Sequence, residues 1–314
     1  MILTDYLKST PDLTWQYAKQ CGIRHATIRL PEDSSFDITD RSCWERVCSR
    51  YTMQGLKPLI IEPLPNELHD HIKTGDFLRD ECIEKLIRVI ELMDEFDIRI
   101  LCFNFMAHIG WLRTTSTIKE RGDALVTGFN LEDFTPTTLK ITESELWDNY
   151  AYFLRAVLPH AEKHNIYLAL HPDDPPLMKL GDVSRIMISY ENIRHAVYDI
   201  APSPNLGITM CQATFAMMGE DLFDIIPKLA KKIFFIHFRN AVGTKENFRE
   251  TFHDNGMLPM AKLIKLYKSC GIDCPIRVDH VPTMAGEEVK AAGYDTIGRL
   301  YAIGYLKGLL EATE

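Results

Sequence analysis

The run Ile166-Tyr167-Leu168-Ala169-Leu170-His171-Pro172-Asp173-Asp174-Pro175-Pro176 passes abruptly from apolar residues to a histidine, two aspartates and prolines. A short stretch that is apolar through its centre reads as a strand covered on both faces, the state of strands in a parallel sheet. The same transition recurs along the chain. Leu206–Met210 leads into Cys211, Ile233–Ile236 into His237-Phe238-Arg239-Asn240, and Ile276–Val278 into Asp279-His280. His25–Leu30, Pro58–Glu62 and Ile98–Asn104 complete seven clear strand candidates, and an eighth is expected near Arg249–His253.

Amphipathic helical stretches fall between the strands, at Arg79–Phe96, Glu143–His164, Asp182–Ile193 and Met260–Ser269. Cys82, Leu86, Val89 and Met93 make one apolar face in the first, and Thr142 with Glu145 has the form of a capping box for the second. Eight β/α units in 314 residues predict a single (β/α)8 TIM barrel over 1–314. A doubly wound sheet is the alternative, but no glycine-rich phosphate turn follows any strand. No linker, charge block or repeat marks a domain boundary.

The composition, 46% hydrophobic and 25% charged, is that of a globular protein. A formal charge of −9, with both signs interspersed, excludes the basic stripe that nucleic acid requires. The apolar runs are too short to span a membrane, and Met1–Ser9 lacks the pattern of a secretory signal. Eight cysteines, at 21, 43, 48, 82, 102, 211, 270 and 274, show neither a CxxC pair nor a disulfide framework. A cytoplasmic location follows as an expectation.

His171, Cys211, His237 and Asp279 stand where four strands become polar, and a barrel gathers such ends on one face. One buried cysteine is ordinarily a core residue, whereas four such groups in phase point to a shared metal site. Two imidazoles, a thiolate and a carboxylate suit a first-row transition metal. Zn2+ accepts them as a closed tetrahedron, while Mn2+, Fe2+ or Co2+ suit a site with open positions. Arg239, Arg113, Lys73 (in a loop) and Asn104 are candidates for substrate binding, Arg239 through a bidentate carboxylate fork. Asp173 or Asp174 is expected to orient an imidazole. His69 and His71 are expected at the surface, and His160 with His164 at a solvated helix end.

These residues and their surroundings resemble the mannonate dehydratase family of the xylose-isomerase-like barrels. The motifs are His171-Pro172-Asp173-Asp174-Pro175-Pro176, Thr209-Met210-Cys211, His237-Phe238-Arg239, Asp279-His280, Gly293-Tyr294 with Ile297-Gly298-Arg299-Leu300, Ile72-Lys73-Thr74-Gly75 and Cys102-Phe103-Asn104-Phe105-Met106. Trp111 and Arg113 follow the last of these, and the likeness runs from about residue 55 to the C-terminus. The resemblance implies dehydration of D-mannonate to 2-keto-3-deoxy-D-gluconate in hexuronate catabolism, with a divalent metal, usually Mn2+. It makes His171, Cys211, His237 and Asp279 the metal ligands and gives His280 and Tyr294 the acid and base roles, without saying which is which. A cytoplasmic homo-oligomer acting on a small sugar acid is the corresponding expectation.

The chain departs from the family pattern in four places. Gln212-Ala213-Thr214 follows Cys211 in place of Thr-Gly-Ser, and Val281-Pro282-Thr283 follows His280 in place of Gly and a basic residue. The early strand ends Thr27-Ile28-Arg29-Leu30-Pro31 where the family carries a histidine pair. A lid-like insertion around 113–142 is shorter than the family's. Two other readings accompany the dehydratase: a metal-dependent epimerase or isomerase of the same barrel group, and a catalytically silent sugar-acid-binding paralogue.

Overall fold

The computed structural model describes residues 1–289 and 291–313. Eight parallel strands close into a barrel: β1 (Ile2–Lys8), β2 (His25–Arg29), β3 (Lys57–Ile61), β4 (Ile100–Phe103), β5 (Tyr167–Leu170), β6 (Leu206–Cys211), β7 (Ile233–Phe238) and β8 (Pro275–Val278). Each pairs with its neighbours in chain order, and β8 closes on β1 through Ile2–Pro275 and Leu3–Ile276. Helices follow the strands, so the sheet is apolar on both sides. Ile60, Ile100, Cys102, Ala169 and Phe235 form a separate buried cluster inside the barrel, and the larger core lies between strands and helices. Among the described residues no helix is long and apolar enough to cross a membrane.

The expected eighth strand was misplaced. Asn247–Glu250 belongs to a four-stranded antiparallel sheet with Ala241–Gly243, Thr115–Lys119 and Leu125–Asn130, built on connections that leave the C-terminal ends of β4 and β7. The barrel takes Ile2–Lys8 instead. Thr4, Asp5 and Lys8 disguise this strand by breaking its apolar run. The buried Asp5 is tolerated because Arg299, on the last helix (Thr296–Glu311), donates to it from Nε at 2.8 Å.

The helix expected over Asp182–Ile193 is also corrected. Asp182–Ser184 pairs as a strand, and the helix runs Tyr190–Tyr198 from a Ser189 cap. The capping box at Thr142 is present in both directions: Glu145 N–H donates to Thr142 Oγ1 (3.2 Å), and Thr142 N–H to Glu145 Oε2 (2.8 Å). His69 is buried, not superficial, and packs within 6.4 Å of the rings of Phe103, Phe105 and Phe153. His164 pairs with Asp94 at 3.0 Å instead of facing open solvent.

Arg299 ties the C-terminal helix to the strand that closes the barrel, so Arg299→Leu leaves the Asp5 carboxylate buried without its cation. Urea denaturation should show a loss of about 3–5 kcal/mol. Burial lowers His253 to about 4, outweighing the help of its bond to the Phe238 carbonyl (2.7 Å). A histidine whose folded pKa lies below its unfolded value adds stability at pH above about 6.5 and loses it as the pH falls towards 4. Denaturation midpoints should therefore rise from pH 4 to 6.5, with a shallower slope in His253→Gln.

Candidate active site

The side chains that face the barrel mouth come from inward positions of the strands and from the residues just beyond them. His171 follows β5, and its backbone N–H bonds the Phe103 carbonyl of β4 (2.7 Å). Its Nδ1 lies 2.6 Å from the Pro172 carbonyl. A carbonyl only accepts, so Nδ1 carries the proton and Nε2 is left with a free lone pair. Burial lowers the His171 pKa, which favours this neutral ring.

Cys211 ends β6 with no exposure, and its sulfur accepts from Arg239 Nε and from Thr214 Oγ1, each at 3.2 Å. His237, on β7, has its ring centroid 4.9 Å from that of His171. Its Nε2 approaches Glu62 Oε1 at 2.9 Å and its Nδ1 lies 3.7 Å from Asp279 Oδ2. Neither contact has hydrogen-bond alignment, so both ring nitrogens are buried without a hydrogen-bond partner. Donor atoms of His171, Cys211 and His237 all lie within 4.8 Å of one another, and Glu62, Cys102 and His237 form a second such group.

Asp279 stands beside these donors, held by Arg277 (3.0 Å) and by Arg239 Nε (3.1 Å). Burial opposes its charge, but the cations around it, Arg277 and Arg239 among them, hold its carboxyl well below the usual range. His280, one residue on, points Nδ1 at Glu250 Oε1 (3.0 Å), so a neutral ring carries its proton there and leaves the Nε2 lone pair free. The Tyr294 hydroxyl donates to Asp279 Oδ1 at 3.4 Å, and its ring meets that of His280 edge-on with centroids 5.3 Å apart. Gly293 makes this approach possible. Its φ is +83°, and a Cβ there would come within 3.4 Å of the His280 ring. The Trp111 ring also packs against His280, with centroids 4.9 Å apart.

The residues expected to bind substrate are less open than the sequence suggests. Arg239 is buried with its donors engaged: Nη1 meets Glu250 (2.6 Å), and Nη2 meets Asp174 (2.6 Å) and Thr214 (2.7 Å). Arg113 grips Asp174 with both Nη atoms (2.6 and 3.0 Å) and also meets Glu250. Lys73 lies on the helix Asn66–Thr74 and not in a loop; it is buried, and its Nζ donates to Asp70 (3.1 Å). Asn104 accepts from Met106 N–H through its side-chain oxygen (3.1 Å). Neither aspartate after His171 orients an imidazole. Asp174 serves the two arginines, and Asp173 accepts from the backbone of Ile186 and Met187 (both 3.1 Å).

Three contributors escaped the sequence reading. Glu62, just beyond β3, takes Arg277 in a two-pronged pair (2.9 and 2.9 Å). Its burial raises the carboxyl, yet Arg277 and His237 hold it well below the usual range. Glu250 is kept ionised, at about 2, because Arg239 and Arg113 outweigh burial. Arg277 sits in the middle of a buried strand. A charge inside an otherwise apolar run, such as Arg277 in β8, is the signal that would have exposed this network.

Residues 10–139 and 129–314 match the family model described as D-mannonate dehydratase (UxuA). Over its whole length the chain is 33% identical to a mannonate dehydratase of Brachyspira hyodysenteriae, of which 98% is covered. It is 31% identical to one from Oceanobacillus iheyensis, with 98% of this chain and 96% of that one covered. The solved structure of mannonate dehydratase from Streptococcus suis serotype 2 aligns with a TM-score of 0.90 and 25% identity, over 100% of this chain and 93% of that one. An L-ribulose 3-epimerase shares the barrel, at a TM-score of 0.66 and 14% identity over 100% and 96% of the two chains. With the barrel closed and these strand ends assembled at its mouth, the chain belongs to the D-mannonate dehydratase family, the hydro-lyases that dehydrate sugar acids on a xylose-isomerase-like barrel.

Proposed function

We propose that the protein converts D-mannonate to 2-keto-3-deoxy-D-gluconate and water, with a divalent metal held by His171, Cys211, His237 and Asp279. The observation that carries this reading is the gathering of His171, Cys211 and His237 donors within 4.8 Å, beside Asp279, His280 and Tyr294. The residues fit a cation on two counts. Both nitrogens of buried His237 lack hydrogen-bond partners. Glu62, Asp174, Glu250 and Asp279 outnumber Arg113, Arg239 and Arg277 by one charge, and a ligating thiolate adds another. A divalent ion balances both. Mn2+ is the metal this reading names, and the donor set also accepts Fe2+ or Co2+. When bound, the metal supplies Lewis acidity towards the substrate carboxylate and its neighbouring hydroxyl.

The protein groups divide the proton transfers. His280 presents an unprotonated Nε2 and takes the proton from C2, and its Nδ1–H remains bonded to ionised Glu250, which stabilises the imidazolium formed. Tyr294 is held above its usual range by burial and by Asp279, so it keeps its proton until the C3 hydroxyl needs one. As the C3–O bond breaks, C2 and C3 form a double bond, Tyr294 O–H protonates the departing oxygen to water, and the resulting enol becomes the 2-keto acid. We assign the base role to His280 and the acid role to Tyr294. The eight free thiols accord with the reducing cytoplasm in which such catabolism takes place.

Mn2+-loaded protein incubated with D-mannonate should release a 2-keto-3-deoxy acid, and chelation should stop it. Exchange of substrate hydrogen for solvent deuterium without loss of water would instead indicate an epimerase, and no turnover with Mn2+, Fe2+ or Co2+ would remove this substrate.

The acid and base are separable by isotope exchange. His280→Asn should abolish both C2 deuterium exchange and water loss, lowering kcat by about 10²–10⁴. Tyr294→Phe should lose water formation by a similar factor yet still exchange the C2 hydrogen. The reverse pattern exchanges the two roles.

A further inference from the structure

The three guanidinium groups embedded in the site, Arg113, Arg239 and Arg277, are each paired with buried carboxylates. Freeing any of them for a substrate anion breaks a buried ion pair, which is costly. Arg29, at the C-terminal end of β2, is placed differently. Thr4 and Thr27 meet inside the barrel through their hydroxyls at 3.2 Å. Side chains alternate along a strand, so Tyr6 and Arg29, two residues on in β1 and β2, lie on the same inward-facing series. Tyr6 confirms the direction. Its ring lies 5.7 Å from the Tyr294 ring, and the Arg277 guanidinium stands 5.8 Å over it. The Tyr6 hydroxyl in turn adjoins Arg29.

The Arg29 side chain is 42% exposed, and its carboxylate partner is Glu32, whose side chain is 38% exposed, at 2.6 Å. Such a water-facing pair is weak and readily exchanged. In the closed barrel β2 is four strands from β6 in either direction, so Arg29 stands across the mouth from Cys211. A sugar acid with its carboxylate end at the metal donors and C2–C3 beside His280 and Tyr294 directs its other end towards β1 and β2. This chain presents an arginine there, Arg29, at the end of β2.

We infer that Arg29 is a specificity-determining residue that receives a second anionic group, a carboxylate, at the end of the sugar acid remote from the metal donors. The preferred substrate class is then a six-carbon dicarboxylate, and D-mannonate is its less favoured monocarboxylate relative. The inference rests on the dehydratase reading. On binding, the terminal carboxylate displaces Glu32 and forms a two-pronged pair with the guanidinium, with Tyr6 alongside.

The test compares D-mannonate with the dicarboxylate obtained by oxidising its C6, using Mn2+-loaded full-length protein. The kcat/KM for the dicarboxylate should exceed that for D-mannonate by about tenfold or more. Arg29→Met should bring this ratio down at least tenfold, and Arg29→Lys, which keeps the charge but not the fork, should recover part of it. Glu32→Gln removes the competing carboxylate and should lower KM for the dicarboxylate about two- to fivefold without raising kcat. A merely structural role for the pair predicts no such gain. Turnover of D-mannonate with no preference for the dicarboxylate overturns the role of Arg29 and leaves the dehydratase reading standing. Turnover of neither acid overturns both.

Discussion

The guanidinium of Arg239 is the tie on which the mouth of this barrel depends. It leaves β7 and reaches the Cys211 sulfur on β6, Asp279 beyond β8, Asp174 beyond β5, and Glu250 on the outer sheet. An arginine stripped of water cannot remain there unless its charge and donors are met. Four elements are therefore bound to one rigid fork. The cost of burying these ions makes them poor sources of stability, and their value is positional. They fix the ends of strands whose apolar bodies pack equally well in many small displacements.

The same network explains how chemically similar groups acquire different tasks. Glu250 and Asp279 are buried carboxylates kept ionised by neighbouring cations. Glu250 turns its charge towards His280 and prepares that imidazole to hold a proton, whereas Asp279 faces the donors of His237 and the Tyr294 hydroxyl. Tyr294, in the same low-polarity enclosure and beside a negative charge, keeps its proton. Arg113 and Arg239 fill the role of internal counter-ions. The water-facing Arg29 is left to meet an incoming anion at the rim.

Strand periodicity made much of this legible. Apolar runs ending in His171, Cys211, His237 and Asp279 identify both the barrel and the end of it at which these residues meet, because a parallel sheet buries strand bodies and exposes their ends. β1 was not legible because Asp5 interrupts its pattern, and its compensating partner Arg299 lies at the other end of the sequence. Glu62 closes the apolar run Leu59–Ile61, the same transition that marks the other strand ends, and only Glu250, in a polar stretch, carried no signal of its own. Their burial follows only from the arginines that converge on them. Lys73 was expected in a loop, but the stretch is a helix that Gly75, with φ +67°, ends.

The central claim is that these strand ends bind one metal through a mixed set of sulfur, imidazole and carboxylate donors. X-ray absorption at the metal edge of Mn2+-loaded protein tests it most directly. One sulfur with imidazole scattering in the first coordination sphere, the sulfur signal vanishing in Cys211→Ser, is the result this account predicts. A shell made only of oxygen, unchanged by that substitution, would contradict it.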